Sequence, residues 1–515
     1  MKSCDLLIVG AGINGAGIAR DAAGRGLSVV ICDRGDLGGA TSSASGKLIH
    51  GGLRYLEYRE FRLVREALSE REVLMGIAPH ITHPMRFVLP HEPERRAFWF
   101  VRLGLLLYDH LGRRQSLPGT ETVQLARSPI GASLRARQGR AFIYSDVWVD
   151  DSRLVVLNCV DAARLGAIVM PRTACITARV ENGRWMATLR RAADGATHTV
   201  AARSIVNAAG PWVDGVLREV IGANSPRRVR LVKGSHIVLR KFYAGEHAYV
   251  LQNDDRRLLF VVPFERDFVI VGTTDVPFED DAERVAIDGR EIAYLCTALN
   301  RRFQLALSAD DVVWSYSGVR PLLDDGQNDP SAVTRDYAFD LQAPAGAPPL
   351  LSIFGGKITT YRRLAEHALS ELAPLLGTTA PAWTATKKLP GGDLRPGGVA
   401  SFAAELQARH GWLPHGLAAR FARSYGSLAW QMLQGARDLT ALGQDFGATL
   451  YERELIHLRD REWAQTVDDV LWRRTKLGLR LDPTQAARVA AWLAANPARP
   501  YSCSAADADV ASAGK

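Results

Sequence analysis

The sequence predicts an α/β fold that is completed by a helical C-terminal domain. The chain opens with an apolar run at residues 6–9, a glycine turn, a helical pattern at 13–25 and a second apolar run at 27–32. This order is typical of a βαβ unit. Residues 228–275 alternate in short β-rich runs and predict an antiparallel sheet, whereas residues 400–497 have a helical pattern. The chain therefore combines a βαβ-type domain, an antiparallel sheet and a helical domain.

Further elements follow from the same patterns. Helices are predicted at residues 59–77 and 151–166, the second with Asp151 as its N-cap. A glycine- and proline-rich stretch near residue 390 indicates a domain boundary. Small polar residues from position 502 onward predict a disordered tail.

Composition limits the class of protein. The 515 residues suffice for two or three domains, and a hydrophobic fraction of 47% supplies a core. The six cysteines form no C-x-x-C pair, so we expect neither a zinc site nor a redox dithiol, no metal ligands, and a reducing compartment. The first residues read as a strand rather than a signal segment, which predicts a protein that is not secreted.

The charge suggests an anionic partner. A net charge of +9 fits a nucleic acid, an acidic membrane or a phosphorylated substrate. Basic residues are dispersed and form no stripe interleaved with aromatic residues, so a nucleic acid is the least favoured of the three.

A glycine loop follows the first predicted strand. Gly10, Gly12 and Gly15 form G-x-G-x-x-G, which allows a tight turn, a close approach to a pyrophosphate and packing of the helix on the strand. The helix N-terminus then offers N–H groups to phosphate. Asp33, at the end of the second strand, is placed to accept hydrogen bonds from ribose hydroxyls. The pattern predicts a dinucleotide site but does not distinguish NAD from FAD.

Motifs along the rest of the chain carry a family resemblance. The run Thr41-Ser42-Ser43-Ala44-Ser45-Gly46-Lys47-Leu48-Ile49-His50-Gly51-Gly52-Leu53-Arg54-Tyr55-Leu56-Glu57 resembles the signature of the FAD-dependent glycerol-3-phosphate dehydrogenases, in particular the bacterial aerobic respiratory members. Further motifs similar to that family lie at residues 144–146, 148–151, 207–212, 233–236, 272–275, 316–321, 334–337 and 354–361.

The resemblance implies a fold. It is a Rossmann-like FAD-binding domain with an antiparallel-sheet substrate domain, similar to glutathione reductase and D-amino-acid oxidase, plus an α-helical C-terminal domain. FAD-binding and substrate-binding segments would alternate along an oxidoreductase domain that comprises residues 1–389. The expected limits are FAD-binding parts at about 1–85, 145–225 and 345–389, substrate-binding parts at about 86–144 and 226–344, a helical domain at 390–500 and a disordered tail at 501–515.

The resemblance also implies non-covalent FAD. Hydroxyl and backbone N–H groups of the Ser/Thr-rich run would face the phosphate and ribitol, and two glycine pairs would let backbone approach the flavin ring. The second pair precedes a helix predicted to begin near Thr359, whose dipole would favour negative charge on reduced flavin. The expected cofactor-binding residues are Gly10, Gly12, Ile13, Asn14, Gly15, Asp33, Thr41, Ser42, Ser43, Ser45, Lys47, Leu48, His50, Gly51, Gly52, Gly210, Gly355, Gly356, Lys357, Ile358 and Thr359.

The substrate implied by the resemblance is glycerol 3-phosphate, oxidised to dihydroxyacetone phosphate. Binding a phosphate in a pocket requires fixed donors, for which arginine provides a bidentate fork. Arg54, Arg320 and Arg335 lie in three separate motifs and are expected to bind the substrate. Tyr55 and Lys357 are expected to assist them.

Oxidation of the C2 alcohol needs a base for the hydroxyl proton while hydride passes to the flavin. A base with a pKa near neutral suits this step. His236 is the leading candidate, and His50 and Glu57 are the alternatives. Thr273 and Lys357 are expected to orient the substrate oxygens. Arg320 is the fourth residue, with His236, Thr273 and Lys357, that is expected to take part in catalysis.

The segment at residues 97–111 raises the question of a membrane. It is too short and too interrupted to span a bilayer, which needs about 20 apolar residues. An amphipathic helix in the lipid interface and a buried helix are both consistent with its pattern. The resemblance to a respiratory enzyme favours the interfacial helix. We therefore expect a peripheral protein on the cytoplasmic face of the cell membrane that passes electrons to a membrane quinone.

Alternatives remain at this stage. The same motifs would serve a soluble glycerol-3-phosphate oxidase that uses oxygen, or an amine or amino-acid oxidase of the same fold. A non-catalytic FAD-binding scaffold is less favoured. The sequence leaves open a homodimer, the identity of the physiological acceptor and the role of the C-terminal domain.

Overall fold

The computed structural model describes residues 2–56, 60–112, 114–255, 257–324 and 336–497, except for the side chains of Arg54 and Tyr55. Two large sheets and a helical C-terminal region make up these residues. The helices are α1 (Ile13–Gly24), α2 (Phe61–Ile77), α3 (Phe98–Leu111), α4 (Asp151–Arg164), α5 (Val213–Gly215), α6 (Gly289–Arg302), α7 (Tyr361–Leu376), α8 (Gly398–Arg409), α9 (His415–Tyr425), α10 (Ala429–Leu433), α11 (Glu452–Glu462) and α12 (Pro483–Ala495).

The strands lie in two large sheets and one small hairpin. They are β1 (Lys2–Val9), β2 (Val29–Cys32), β3 (Leu48–Ile49), β4 (Thr82–Pro90), β5 (Glu121–Gln124), β6 (Arg140–Val149), β7 (Ile168–Met170), β8 (Thr173–Glu181), β9 (Arg184–Arg191), β10 (Thr197–Asn207), β11 (Val229–Arg240), β12 (Ala248–Gln252), β13 (Leu258–Phe264), β14 (Phe268–Gly272), β15 (Val276–Pro277), β16 (Val312–Leu323), β17 (Ala338–Gln342), β18 (Leu350–Phe354), β19 (Asp445–Gly447) and β20 (Leu450–Tyr451).

The first sheet carries the predicted βαβ unit. Its order is β17-β18-β10-β1-β2-β7, and β1 runs parallel to both β10 and β2. Helices α1, α4 and α7 pack together on this sheet. Strand β2 is buried throughout and β1 is buried at residues 6–9, which explains their continuous apolar runs. A parallel sheet covered in this way directs the carboxyl ends of its strands to one edge, where dinucleotides bind.

The second sheet confirms the predicted antiparallel region. Its order is β15-β11-β14-β13-β12-β4-β6-β3, with β16 added to β11 and β5 to β6. The pairings are antiparallel except that of β12 with β4. Strand β11 pairs with β14 on one side and with β16 on the other, so its backbone is held from both sides.

Helices α8–α12 form the C-terminal region, which is tied to the first sheet by buried ion pairs. Arg474 donates to Asp36 at 2.6 and 2.8 Å, just after β2. Arg153 of α4 forms a buried ion pair with Glu462 of α11. Removing one partner of a buried pair typically costs ~3–5 kcal/mol, because the other charge is left buried without compensation.

The structure corrects two details of the predicted helices. The N-cap of α4 is Asp150, whose carboxylate accepts from the Arg153 N–H, and Asp151 is the first helical residue. Helix α7 begins at Tyr361 rather than near Thr359, because residues 358–360 form a turn first. The proposed tail at 501–515 lies outside the described residues, and the proposed domain limits stay predictions.

Candidate active site

The first glycine loop connects β1 to α1, and the backbone around Gly10 and Gly15 leaves no room for a side chain at either position. Gly10 has a φ of +106°, and a Cβ there would lie 2.5 Å from the Ala208 carbonyl oxygen. A Cβ at Gly15 would lie 1.9 Å from the Gly10 carbonyl oxygen. The tight turn and the close helix contact inferred from the sequence are thus both present.

Two neighbouring side chains support this loop. The Asp33 carboxylate accepts from the N–H groups of Ala11 and Gly35 at 2.7 and 2.8 Å. Burial raises the pKa of Asp33. The Ser42 hydroxyl, in the turn Thr41–Ser43, accepts from the Ile13 N–H at 3.0 Å. The Ser/Thr-rich run therefore folds over the start of α1.

The second glycine pair meets the first loop, although about 340 residues separate them in the sequence. Gly355 and Gly356 follow β18 with φ values of +80° and +101°. The Asn14 side-chain amide donates to the Gly355 carbonyl at 3.2 Å. A Cβ at Gly356 would lie 2.8 Å from Asn14 Nδ2, so only glycine fits beside this amide. The first glycine loop and the second glycine pair thus lie side by side and form one cradle.

A buried ion pair organises the loop that follows the Ser/Thr-rich run. Lys47 has a φ of +56°, and its Nζ donates to Asp151 at 2.7 Å and to the Ser43 carbonyl at 3.2 Å. Asp151 also accepts from the Ser45 hydroxyl at 2.7 Å. The sequence prediction assigned Asp151 only a capping role. Its position in a matched motif was the available signal for this additional function.

His236 lies on β11, directly opposite Tyr316 on β16. The two rings stack with centroids 4.8 Å apart and an angle of 13° between their planes. The His236 side chain is buried, and its Nδ1 has no hydrogen-bond partner among the described residues. Burial, with Arg320 and Lys47 nearby, lowers the pKa of His236 to about 3. The expected near-neutral pKa is therefore not that of the imidazole in this structure, which is uncharged at physiological pH.

Arg320 is fixed by partners in the loop between β14 and β15. It donates to the Thr273 hydroxyl at 2.9 Å and forms an ion pair with Asp275. A Cβ at Gly234 would lie 2.4 Å from Arg320 Nη2, so the guanidinium lies across the glycine backbone. Sequence reasoning placed Arg320 and Thr273 together but missed Asp275, although the residue is part of the same matched motif.

The opposite face of β11 is fixed by a buried carboxylate. Glu291 of α6 accepts from the Ser235 and Thr274 hydroxyls at 2.9 and 2.7 Å and pairs with Lys233 at 2.8 Å. Side chains alternate along a strand, so Lys233 and Ser235 lie on this face while His236 lies on the other. Glu291 thereby holds the strand register that presents His236.

Helix α3 anchors Gly51–Gly52, the glycine pair that was predicted to approach the flavin. The Gly51 N–H donates to the Tyr108 hydroxyl at 2.8 Å, and that hydroxyl donates to Asp146 at 2.8 Å. Burial raises the pKa of Asp146 to about 6, although Arg71 forms an ion pair with it. This buried group joins the loop at Gly51 to helix α3.

The remaining predicted residues divide into two groups. Gly52 and Gly210 have positive φ values of +71° and +57°, Leu48 and Thr359 are buried, and His50, Lys357 and Ile358 are half-buried. Others cannot be placed: the side chains of Arg54 and Tyr55 and the residues Glu57 and Arg335 lie outside the described residues.

The residues present fit FAD. The Asn14 Oδ1 is buried without a partner in the described ranges, so it can accept a hydrogen bond from a cofactor hydroxyl. A Cβ at Gly356 would lie 3.3 Å from this atom, and a Cβ at Gly12 would lie 3.2 Å from the Ser42 hydroxyl, so glycines leave the space beside both groups open. Within those same ranges, His, Cys, Asp and Glu form no group of three or more that could hold a metal ion.

Comparison with known protein families defines the class. The family described as "FAD dependent oxidoreductase" matches residues 5–362, and the one described as "C-terminal domain of alpha-glycerophosphate oxidase" matches residues 382–501. Fold, cradle and family together define an oxidoreductase whose cofactor is FAD.

Individual relatives narrow the class. The chain is 52% identical to D-erythritol 1-phosphate dehydrogenase of Brucella abortus, over 95% of this chain and 98% of that protein. It is 50% identical to the aerobic glycerol-3-phosphate dehydrogenase of Escherichia coli, over 96% and 98%. The solved structure of glycerol-3-phosphate dehydrogenase from Bacillus halodurans with FAD superposes with a TM-score of 0.74 at 26% identity, over 96% of this chain and 90% of that one. The chain belongs to the FAD-dependent glycerol-3-phosphate dehydrogenase family, as the sequence motifs predicted.

Proposed function

We propose that the protein oxidises sn-glycerol 3-phosphate to dihydroxyacetone phosphate and passes the electrons to a membrane quinone. One observation carries the first part: a buried, uncharged imidazole lies beside a fixed guanidinium on a sheet face next to the FAD cradle. His236 and Arg320 point to that face, since they occupy positions of the same alternation on paired strands. The names of the relatives at about 50% identity support the choice of substrate.

The charge of the site suits a phosphate dianion. Arg320 and Lys47 both act to lower the pKa of His236, so the electrostatic potential at the imidazole is positive. Arg320 offers a planar fork for phosphate, which Asp275 and Thr273 hold in place. Lys357, Arg54, Tyr55 and Arg335 remain proposed partners.

The proton is proposed to pass from the C2 hydroxyl to His236. An uncharged imidazole has a free lone pair, and a bound phosphate dianion would offset the cations that lower its pKa. FAD, when bound, supplies the hydride acceptor. Thr273 is proposed to orient a substrate oxygen, since its hydroxyl is fixed beside Arg320.

The relative from Brucella abortus gives a second candidate substrate. It is as similar to this chain as the glycerol-3-phosphate dehydrogenases are, and its name specifies a longer polyol phosphate. The chemistry of the site is the same for either substrate, because both present a secondary alcohol and a phosphate.

Anaerobic bleaching of the bound flavin tests the proposal. Glycerol 3-phosphate should bleach it at low concentration and glycerol should not, because glycerol has no phosphate. Faster bleaching by D-erythritol 1-phosphate would assign the longer substrate. Equal bleaching by glycerol would refute the phosphate site. Substitution His236→Ala should slow the bleaching by ~10²–10⁴-fold.

Helix α3 supports the membrane part of the proposal. Its Leu105 and Tyr108 are buried, whereas Trp99, Phe100 and Leu106 are 67%, 50% and 54% exposed. The sequence was consistent with a buried helix and with an interfacial helix. Features of both are present, because one face of α3 packs into the protein and the other is apolar and exposed. Among the described residues, no helix is long and apolar enough to cross a membrane. An apolar helix face of this kind can lie in the acyl boundary of a bilayer.

The arginines near α3 are expected to add less than the apolar face. Arg95 pairs with Glu92 and Asp254, and Arg114 lies 3.4 Å from Asp109. These internal partners offset much of the attraction to anionic lipid. We therefore propose a peripheral enzyme on the cytoplasmic face of the membrane that is held mainly by apolar contact. Peroxide yield with and without a quinone would separate this enzyme from an oxygen-using oxidase.

A further inference from the structure

Trp472 belongs to the C-terminal helical region, yet its ring packs against the sheet that carries His236. It lies in the π-helical turn Asp469–Arg474. Its indole stacks on that of Trp314 in β16, with centroids 4.1 Å apart and 9° between the planes. A Cβ at Gly478 would lie 2.4 Å from Trp472 Cζ2, so the glycine backbone also packs directly against the ring. The position of Trp472 is therefore closely defined.

The stack continues to the imidazole. Trp314 and Tyr316 are two residues apart on β16 and share one face, with ring centroids 5.0 Å apart. Tyr316 stacks on His236 across the strand pair at 4.8 Å. The Tyr316 hydroxyl also donates to the Ser45 carbonyl at 2.9 Å. Four rings thus form a continuous series from the C-terminal region to the proposed base.

His236 depends on this packing for its orientation. No hydrogen bond holds Nδ1 within the described part of the chain. The ring is instead enclosed by Tyr316 and by the Gly272 backbone, where a Cβ would lie 2.2 Å from His236 Cδ2. Any change that lets Tyr316 move will also let the imidazole move.

We propose that Trp472 is a positioning residue for the oxidation, and that it holds His236 in place through Trp314 and Tyr316. The proposal rests on the proposed function, in which His236 accepts the substrate proton. It gives the C-terminal region a direct part in building the active site. A displacement of about 1 Å at a reacting group can cost ~10²-fold in rate. We therefore expect Trp472→Leu to slow flavin reduction by ~10–100-fold while substrate affinity changes little.

A double-mutant cycle on the FAD-loaded full chain tests the proposal. Rapid anaerobic mixing with glycerol 3-phosphate would give the reduction rate of Trp472→Leu, His236→Ala and the double variant. The loss caused by Trp472→Leu should nearly vanish in the His236→Ala background, because residues coupled through a shared set of contacts act non-additively. Trp472→Phe should restore most of the rate. Trp492→Leu, which removes another half-buried tryptophan of the same region, is the control and should leave the rate unchanged.

The outcomes separate the two proposals. Equal losses from Trp472→Leu in both backgrounds would overturn the positioning role and leave His236 as the base. An unchanged rate in His236→Ala alone would overturn the base assignment itself. Should Trp472→Leu not fold, Gly478→Ala displaces the same ring and the same cycle applies.

Discussion

The substitution Gly272→Ala should impair His236 by displacing its imidazole, although His236 itself is unchanged. The added Cβ would lie 2.2 Å from His236 Cδ2, whereas ordinary van der Waals contact starts at 3.4 Å. The deficit is about 1.2 Å. Gly272 has no positive φ that an alanine would strain, so steric overlap with the imidazole is the main effect.

The imidazole has to absorb this displacement. Gly272 ends β14, which pairs with β11 on one side and β13 on the other, so its backbone is held by two strands. A shift of the ring by about 1 Å predicts a loss of ~10²-fold in the rate of flavin reduction. FAD binding and the affinity for substrate should change much less, because the three atoms nearest the new methyl group all belong to His236.

The measurement is the single-turnover rate of flavin reduction under anaerobic conditions, with bound FAD determined from its absorbance. Gly289→Ala is the matched control, since nothing lies within 4 Å of a Cβ at that position. A reduction rate for Gly272→Ala within about twofold of the wild type, with FAD bound normally, would show that His236 does not need its present position and would refute the reasoning.

Three further predictions follow from the site and its surroundings. Arg320→Ala should cost about 2–5 kcal/mol of transition-state stabilisation with glycerol 3-phosphate and little with glycerol, and equal losses on both substrates in steady-state kinetics would contradict its phosphate role. The double variant Trp99→Ser/Leu106→Ser should be a folded enzyme that reduces a soluble dye at the normal rate, but it should neither float with liposomes nor reduce a long-chain quinone. Loss of dye activity together with a lower Tm would instead mean that this face of α3 is structural. Although burial opposes the charge, Arg153 and then His457 hold the pKa of Glu462 below its ordinary 4.5. The ion pair therefore stabilises the fold fully above pH 4.5 and is lost as the pH falls below it, so Glu462→Gln should flatten the acid side of a Tm-against-pH curve, and an unchanged acid limb would contradict this.

Local sequence patterns were sufficient for the fold class and for much of the cofactor cradle. A glycine loop between an apolar run and a helical pattern has few structural solutions, because only glycine tolerates the φ at Gly10 and the contact at Gly15. The family membership followed from motifs spread along the chain. The turn and the helix contact of the glycine loop depend on the local backbone, which the nearby residues determine directly.

Only the tertiary structure decided how charges are paired and which groups are ionised. The pairing of Asp275 with Arg320 and of Asp151 with Lys47 arises from contacts between elements far apart in the sequence. Packing likewise leaves Nδ1 of His236 without a hydrogen-bond partner among the residues that the structure describes. The pKa of His236 is low because burial and two cations act together, and no sequence pattern reports either of them. Likewise the periodicity of α3 allowed a buried helix or an open one, and packing made Tyr108 a buried anchor while it left Trp99 exposed. Spacing along the chain determines secondary structure and turn geometry, whereas pairing and desolvation depend on neighbours that only the folded chain brings together.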